Sequence, residues 1–162
     1  CADALALPIR SNRLDVVISN FALHWSLQPQ AAMQELARVL QLDGLAILAV
    51  PVQGSLPGRL AEAQQGEPLQ AVARWQTAAE LAGFSISHQQ QLQYVDFFPD
   101  ADAWLSAVRH MGVTARDQAA NHLRGASYLN ALKSRLEQER QAQGIPLHYQ
   151  VWQCVLRVNK PS

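Results

Sequence analysis

Two features that mark large classes of proteins are missing from this sequence of 162 residues: a long apolar run and a surplus of charge of one sign. No apolar stretch approaches the roughly 20 residues that cross a bilayer as a helix, so we expect no membrane segment. The chain carries 13 basic and 13 acidic residues, whereas a protein that neutralises a phosphate backbone needs a basic excess. Nucleic acid is therefore not an expected partner.

Cysteine is scarce, and its placement argues against a metal site. Cys1 and Cys154 lie at opposite ends of the chain, without the spacing of metal ligands. We expect reduced thiols in a cytoplasmic protein, with a single disulfide as the alternative. No two histidines have the His-x-x-x-His spacing, so we expect no metal ligands among them. Cys1 stands where a Met would begin a chain, which predicts a processed start or a fragment.

A glycine-rich phosphate loop is absent as well. The pattern Gly-x-Gly-x-x-Gly does not occur in the sequence, although a doubly wound α/β domain commonly starts with a strand followed by that turn. The chain begins instead with Asp3–Pro8, which we interpret as a loop that leads into the first strand.

What is present is a strand, helix, strand unit. Leu14–Ser19 is a continuous apolar run rich in β-branched residues, which predicts a parallel strand covered on both faces. Pro29 suits a first helical turn, and apolar residues recur at helical spacing until Asp43-Gly44, where we expect the helix to stop. Leu45–Val50, closed by Pro51, predicts the next strand. The fold class is α/β.

The rest of the chain continues this alternation. Helical sequence runs to Leu81-Ala82 and stops at Gly83. A less buried strand, near a sheet edge, is predicted to begin at Phe84, and Asp100 has the properties of a helix N-cap. A further long helix follows, and Leu147–Val158 is strand-like throughout. No repeat and no linker divides the chain.

The order of these features carries a resemblance. The acidic loop precedes a strand that closes on a polar residue, and the turn Arg38–Gly44 precedes the next strand. Four further segments are more specific: Ser19–Trp25, Val52–Pro57, Ala107–Gly112 and Pro146–Tyr149. Together they resemble the class I S-adenosylmethionine-dependent methyltransferases, and within that superfamily the malonyl-acyl carrier protein O-methyltransferases of biotin synthesis.

The resemblance implies a fold. Residues 1–162 would be the carboxy-terminal part of a single methyltransferase domain, an incomplete Rossmann-like fold with strands 4-5-7-6 of a seven-stranded sheet and helical cover. The family's glycine-rich cofactor loop and ribose-binding acid have no counterpart in the sequence. We therefore expect weak or absent cofactor binding by these residues alone, and an open strand edge at Val16–Ile18 that permits self-association.

The resemblance also implies a site for S-adenosyl-L-methionine. Residues that match Asp3 and Ala4 meet the adenine in related enzymes, and the residue that matches Asn20 contacts the amino acid part. Trp25 would cover the methionyl end. Plain structural interpretations stay open: Asp3 as a turn cap, Asn20 as the end of a strand, and Trp25 as a core residue.

On the acceptor side, the resemblance implies a malonyl group whose free carboxylate is already ionised at neutral pH, so that no strong base is required. A cation must hold that carboxylate. Arg109 is the first candidate for this catalytic role and His110 the second, because both lie in the segment that ends at Gly112.

Charge is unevenly distributed along the chain. The segment from Leu105 to Arg135 holds five basic residues and one acid. A basic patch would attract an acidic acyl carrier protein, the partner that the resemblance implies. The alternative is a solvated helical face.

Three other functions remain open from the sequence. The chain could be a non-catalytic module that binds the carrier protein, or a class I methyltransferase for a different small molecule. It could also be part of a different α/β enzyme, such as a nucleotide-dependent oxidoreductase, without its cofactor loop. Transfer of a methyl group to a defined acceptor separates these functions.

Overall fold

The structure, a computed structural model, describes residues 2–26, 28–55, 69–110 and 126–159. Four strands, four α-helices and one short 3-10 turn are formed by these residues. In chain order they are β1 (Leu14–Asn20), the 3-10 turn (Leu23–Trp25), α1 (Pro29–Val39), β2 (Leu40–Pro51), α2 (Val72–Leu81), β3 (Phe84–Phe98), α3 (Ala101–His110), α4 (Ala126–Gln138) and β4 (Ile145–Val158).

The four described strands form one sheet in the order β1-β2-β4-β3. β1 and β2 are parallel, with Val17 opposite Ala46, and β2 and β4 are antiparallel, with Ala49 opposite Gln153. This is the order 4-5-7-6 expected from the resemblance, which is therefore confirmed. The predicted edge position of β3 is confirmed as well.

The described chain separates into two compact units. Of the described residues, the first comprises 2–26, 28–55, 69–93 and 149–159, and the second comprises 94–110 and 126–148. The boundaries fall inside β3 and β4, where no linker stands out in the sequence. A single domain stays a prediction.

The core of the first unit lies on one face of the sheet. Alternate residues of β2, among them Ala46 and Leu48, are buried there together with the apolar sides of α1 and α2. Met33 of α1 and Trp75 of α2 are completely inaccessible to solvent. The helical spacing of apolar residues in α1 therefore gives that helix its buried side.

The opposite face of β1 differs from the prediction. Val16 is 45% exposed, Ile18 is 73% exposed, and the neighbouring Ile47 of β2 is 39% exposed. The expectation that this strand is covered on both faces is wrong for the described residues, because alternate side chains of β1 point to the face of the sheet opposite the core, where Val16, Ile18 and Ile47 stay exposed.

The turn at Asp43-Gly44 also differs from the prediction. α1 ends at Val39, and Asp43-Gly44 lies inside β2 as an irregularity of the strand. Asp43 has a φ of 61°, and a Cβ on Gly44 would lie 2.8 Å from the Gln41 carbonyl oxygen. The Asp-Gly pair therefore allows a bulge in the strand and does not end the helix.

The second unit is built around α3 and α4. Asp100 caps α3, as predicted, because its Oδ1 accepts a hydrogen bond from the Ala103 N–H at 2.8 Å. The buried Trp104 donates its indole N–H to the Pro146 carbonyl oxygen at 3.1 Å. Before β4 the chain passes so close to Phe98 that only glycine fits at position 144, where φ is 128°.

Within the described ranges, no helix has both the length and the apolar character that crossing a membrane requires.

Candidate functional site

The first part of the site is the carboxyl end of β1. Asn20, the last residue of the strand, is exposed and lies opposite Ala49 of β2. Phe21 follows with a φ of 51°, and its backbone N–H still donates to the Ala49 carbonyl oxygen at 2.9 Å. A left-handed conformation is costly for an aromatic residue, so this abrupt exit is a strained feature of the backbone.

Four aromatic side chains surround this exit, and we call Phe21, His24, Trp25 and Tyr149 the aromatic cluster. The Phe21 ring lies edge-on to His24 and to Tyr149, with centroid distances of 6.5 and 6.4 Å. His24 and Trp25 are neighbours in the 3-10 turn, with centroids 4.5 Å apart. Trp25 is half-buried, so its place in the cluster is compatible with both of its predicted roles.

The aromatic cluster is held by a turn that follows β2. The Ser55 hydroxyl donates to the Gln150 carbonyl oxygen at 2.8 Å and accepts the Gln150 backbone N–H at 2.9 Å. The Val52 N–H donates to the same carbonyl oxygen at 2.9 Å. Ser55 is only 6% exposed, so these bonds fix the segment of Gln150 and, next to it, Tyr149.

The described parts of three segments that carried the resemblance therefore meet at one end of the sheet. They are Ser19–Trp25, the turn with Ser55, and Tyr149, the last residue of the segment Pro146–Tyr149. Leu56 and Pro57, which complete the second segment, lie outside the described residues.

Asp3 lies in a local turn. Its Oδ1 accepts the Leu5 N–H at 2.9 Å, and its backbone carbonyl accepts the Ala6 N–H at 3.0 Å. The carboxyl group is exposed, whereas Ala4 is half-buried and packs against the core. Asp3 is thus a turn cap in this structure. Its further contact with adenine through Oδ2 stays a prediction, and so do the cofactor contacts of Ala4, Asn20 and Trp25.

A pair of charged residues in α1, which we call the first clamp, ties down the loop that follows Asp3. Glu35 accepts two hydrogen bonds from the Arg38 guanidinium, at 2.7 and 2.6 Å, and one from the Leu7 N–H at 2.6 Å. Arg38 also donates to the carbonyl oxygens of Leu7 and Ile9, at 3.1 and 2.8 Å, and to the Ser11 hydroxyl at 3.2 Å. The hydrogen bonds from Arg38 lower the pKa of the Glu35 carboxyl, although its partial burial opposes this.

The predicted acceptor residues belong to the second unit. Arg109 is exposed near the end of α3, and His110 is the last residue of that helix. Gly112 lies outside the described residues. Asp3, Ala4, Asn20 and Trp25 belong to the first unit, and no hydrogen bond between described residues joins Asp3 to Asn20.

The predicted basic patch is partly neutralised. The Lys133 ammonium lies 2.5 Å from a carboxylate oxygen of Asp102, an exposed residue of α3. Arg109 and Arg135 form no ion pair with another described residue. Three charged residues of the patch lie outside the described ranges: Arg116, Asp117 and Arg124.

A groove of about 610 Å³ lies between α1 and α2, also in the first unit. Its lining includes Gln30 and Gln34 of α1 and Thr77 and Leu81 of α2. None of the predicted site residues lines it.

Some site features were missed by sequence reasoning. Phe21 and Tyr149 lie within segments that carried the resemblance, but nothing in the sequence indicates that their rings meet. Ser55 lies in the segment Val52–Pro57 that carried the resemblance, but no local pattern indicates its partner Gln150. The spacing of Glu35 and Arg38 on one helix face was a usable signal for an ion pair, although not for its contacts with the loop.

Residues 1–48 match the family model described as a methyltransferase domain. The chain is 35% identical over 159 residues to the malonyl-[acyl-carrier protein] O-methyltransferase of Alcanivorax borkumensis, an alignment that covers 93% of this chain and 53% of that protein. It is 28% identical to a biotin biosynthesis bifunctional protein of Cellvibrio japonicus, over 96% of this chain and 32% of that protein. The chain spans about half the length, or less, of these curated relatives.

Solved structures agree on the fold. A Bacillus halodurans protein named as a candidate methyltransferase superimposes with a TM-score of 0.67 at 14% identity, over 98% of this chain and 76% of that one. The resemblance is therefore confirmed: the chain is a homologue of malonyl-[acyl-carrier protein] O-methyltransferases and has the fold of class I methyltransferases.

Proposed function

We propose that this chain supplies the adenine-side and acceptor-side parts of an S-adenosylmethionine-dependent O-methyltransferase. The enzyme would methylate the free carboxylate of malonyl-acyl carrier protein in biotin biosynthesis, in the cytoplasm. One observation carries the proposal. Three separate segments that resemble these enzymes meet at the carboxyl end of β1, the end at which doubly wound α/β folds bind their ligands.

On the cofactor side, we assign the adenine to the turn of Asp3 and Ala4. The Asp3 carboxylate is exposed, and while Oδ1 accepts the Leu5 N–H, Oδ2 is left to accept the exocyclic amine of an adenine. Asn20 would hydrogen bond to the methionyl part, and Trp25 would cover it. The exposure of Asn20 beside the aromatic cluster supports this assignment.

On the acceptor side, a malonyl carboxylate oxygen would attack the methyl carbon of the sulfonium. S-adenosylmethionine would supply the methyl group and would leave as a neutral thioether that keeps the electron pair of the broken carbon–sulfur bond. Alignment of oxygen, carbon and sulfur supplies up to ~7–11 kcal/mol of the barrier reduction. Arg109, which is exposed and unpaired among described residues, would hold the carboxylate in line, with His110 as the second candidate.

The partner would be an acyl carrier protein that carries the malonyl group. Arg109 and Arg135 are the described cations that support an acidic partner, because Lys133 is already paired with Asp102. The exposed apolar side chains of β1, at the edge of the described sheet, support the further proposal that the 162 residues self-associate when isolated.

The proposal is tested in the polypeptide in which these 162 residues naturally occur. It is incubated with S-adenosylmethionine labelled in its methyl group and with malonyl-acyl carrier protein, and acetyl-acyl carrier protein serves as the matched control without a free carboxylate. We expect label on the malonyl form as a base-labile methyl ester, and none on the acetyl form. No transfer to the malonyl form, or equal labelling of both, would contradict the proposal.

A further inference from the structure

The chain contains two ion pairs in which a glutamate is followed by an arginine three residues later. Glu35 and Arg38 form the first clamp on α1, and Glu137 and Arg140, at the end of α4, form a second clamp with the same Glu-x-x-Arg spacing. In each clamp the carboxylate accepts from the arginine and from a distant backbone N–H. In each, the arginine also donates to a distant backbone carbonyl oxygen.

The first clamp acts on a segment that has little other polar support. Between Leu7 and Ser11 the described chain is neither helix nor strand, and four of its atoms bind the clamp: the Leu7 N–H, the carbonyl oxygens of Leu7 and Ile9, and the Ser11 hydroxyl. Asn12 then bonds to the backbone of α1, through its N–H and the Arg38 carbonyl oxygen at 2.9 Å. The turn of Asp3 and Ala4 precedes this fixed segment directly.

The second clamp acts on the start of α3. Glu137 accepts the Ala101 N–H at 3.0 Å, one of the first-turn N–H groups that a helix leaves without a partner. Arg140 binds the same carboxylate, at 2.9 and 2.6 Å, and donates to the Pro99 carbonyl oxygen at 2.7 Å. The second clamp therefore fixes the first turn of the helix that carries Arg109.

In the first clamp two Arg38 nitrogens bind the two oxygens of the Glu35 carboxylate, whereas in the second both Arg140 nitrogens bind Oε2 of Glu137 and Oε1 accepts the Ala101 N–H. An arginine that binds a carboxylate through two nitrogens is held in one plane, unlike a lysine. The planar guanidinium then points its remaining N–H groups at carbonyl oxygens in a fixed direction. A clamp of this kind fixes the position of a segment more than it adds to global stability, because exposed ion pairs contribute little to the latter.

We propose, on the basis of the proposed function, that the two clamps are positioning devices with separate tasks. Glu35 and Arg38 hold the loop that meets the adenine, and Glu137 and Arg140 hold the helix that presents Arg109 to the acceptor carboxylate.

A small movement at the second clamp has a large effect at Arg109. Arg109 lies eight residues beyond Ala101, or about 12 Å along the helix axis. A tilt of about 10° at the start of α3 would therefore move the Arg109 end by about 2 Å, and a displacement of that order is enough to cost about a hundredfold in rate.

The test compares Arg38→Met and Arg140→Met in the polypeptide in which the chain naturally occurs. Each substitution keeps the apolar stem and removes the guanidinium, and each variant is the matched control for the other. We expect Arg38→Met to raise the KM for S-adenosylmethionine about tenfold and to leave the KM for malonyl-acyl carrier protein within about twofold. Arg140→Met should leave the KM for S-adenosylmethionine within about twofold and lower kcat/KM for malonyl-acyl carrier protein by up to about a hundredfold. Parallel changes in the parameters for both substrates, or no change in either, would overturn the proposal.

Hydrogen exchange provides a readout that does not depend on methyl transfer. In Arg38→Met, amide exchange should accelerate about tenfold at Leu5–Ile9 and stay unchanged at Ala101–Ala103. In Arg140→Met, it should accelerate about tenfold at Ala101–Ala103 and stay unchanged at Leu5–Ile9. Glu35→Gln and Glu137→Gln repeat the comparison if a methionine variant does not fold. If the natural polypeptide transfers no methyl group, the proposed function fails. Selective exchange then still supports the part of the proposal in which each clamp fixes its own segment, whereas parallel loosening of both segments overturns that part as well.

Discussion

The hydroxyl of Ser55 holds both backbone groups of Gln150, because it donates to the carbonyl oxygen at 2.8 Å and accepts from the N–H at 2.9 Å. The two residues are separated by 95 positions in the sequence. These two hydrogen bonds join the turn after β2 to the segment that places Tyr149 against Phe21. The aromatic cluster therefore depends on a small side chain that lies outside it.

Substitution of Ser55 by alanine should destabilise the chain by about 1–3 kcal/mol, because it leaves the part-buried N–H of Gln150 without its partner. Chemical denaturation measures the loss. Ser85→Ala is the matched control, since the Ser85 hydroxyl is less buried and its two contacts are longer, at 3.5 and 3.2 Å. Equal stability of the Ser55 variant and the wild type would show that this contact does not hold the turn.

Phe21 offers a second prediction, based on its φ of 51°. Phe21→Ala and Phe21→Gly both remove the ring, but only glycine adopts this conformation without strain. The glycine variant should therefore be more stable than the alanine variant by about 1 kcal/mol. At the neighbouring Ala22, where φ is −116°, glycine should give no such gain over the wild type. A less stable Phe21→Gly than Phe21→Ala would refute strain at this position.

The pattern of the sequence predicted most of the architecture. The order of the four strands was correct because the resemblance implied it. The strand that begins at Phe84 and the cap at Asp100 were correct because they depend on local apolar spacing and on a single capping side chain. The predicted end of α1 was wrong, because an Asp-Gly pair suits a strand bulge as well as a turn. Pairing of β2 with β1 decides between the two at Asp43-Gly44.

The features that build the candidate site were harder to predict. Ser55 and Gln150, or Arg38 and Ile9, are far apart in the sequence, and no local pattern reports their contact. The resemblance identified Asn20 and Trp25 as residues of interest, but it gave no reason to single out Phe21. The strained backbone of Phe21 is a property of the folded chain, in which the strand, the 3-10 turn and Tyr149 are all in place.

The first clamp predicts a dependence of stability on pH. Hydrogen bonds from Arg38 lower the pKa of Glu35 in the folded chain, so its contribution is fully present above the carboxyl pKa of the unfolded chain, near 4.3, and is lost as the pH falls through the lower folded value. The free energy of unfolding, measured from pH 7 to about pH 3, should therefore fall less steeply in Glu35→Gln than in the wild type. Identical slopes would contradict this role of the carboxylate.

The central claim is that Asp3 and Asn20 contact one methyl donor, and calorimetric titration of S-adenosylmethionine into the natural polypeptide tests it most directly. Asp3→Asn keeps an oxygen for the Leu5 N–H and replaces the other acceptor by a donor, so the turn persists while the adenine contact is lost. We predict that Asp3→Asn and Asn20→Ala each raise the Kd about tenfold, whereas Asp96→Asn, at an exposed site of β3, leaves it unchanged. Affinities equal to that of the wild type in both site variants would contradict the claim.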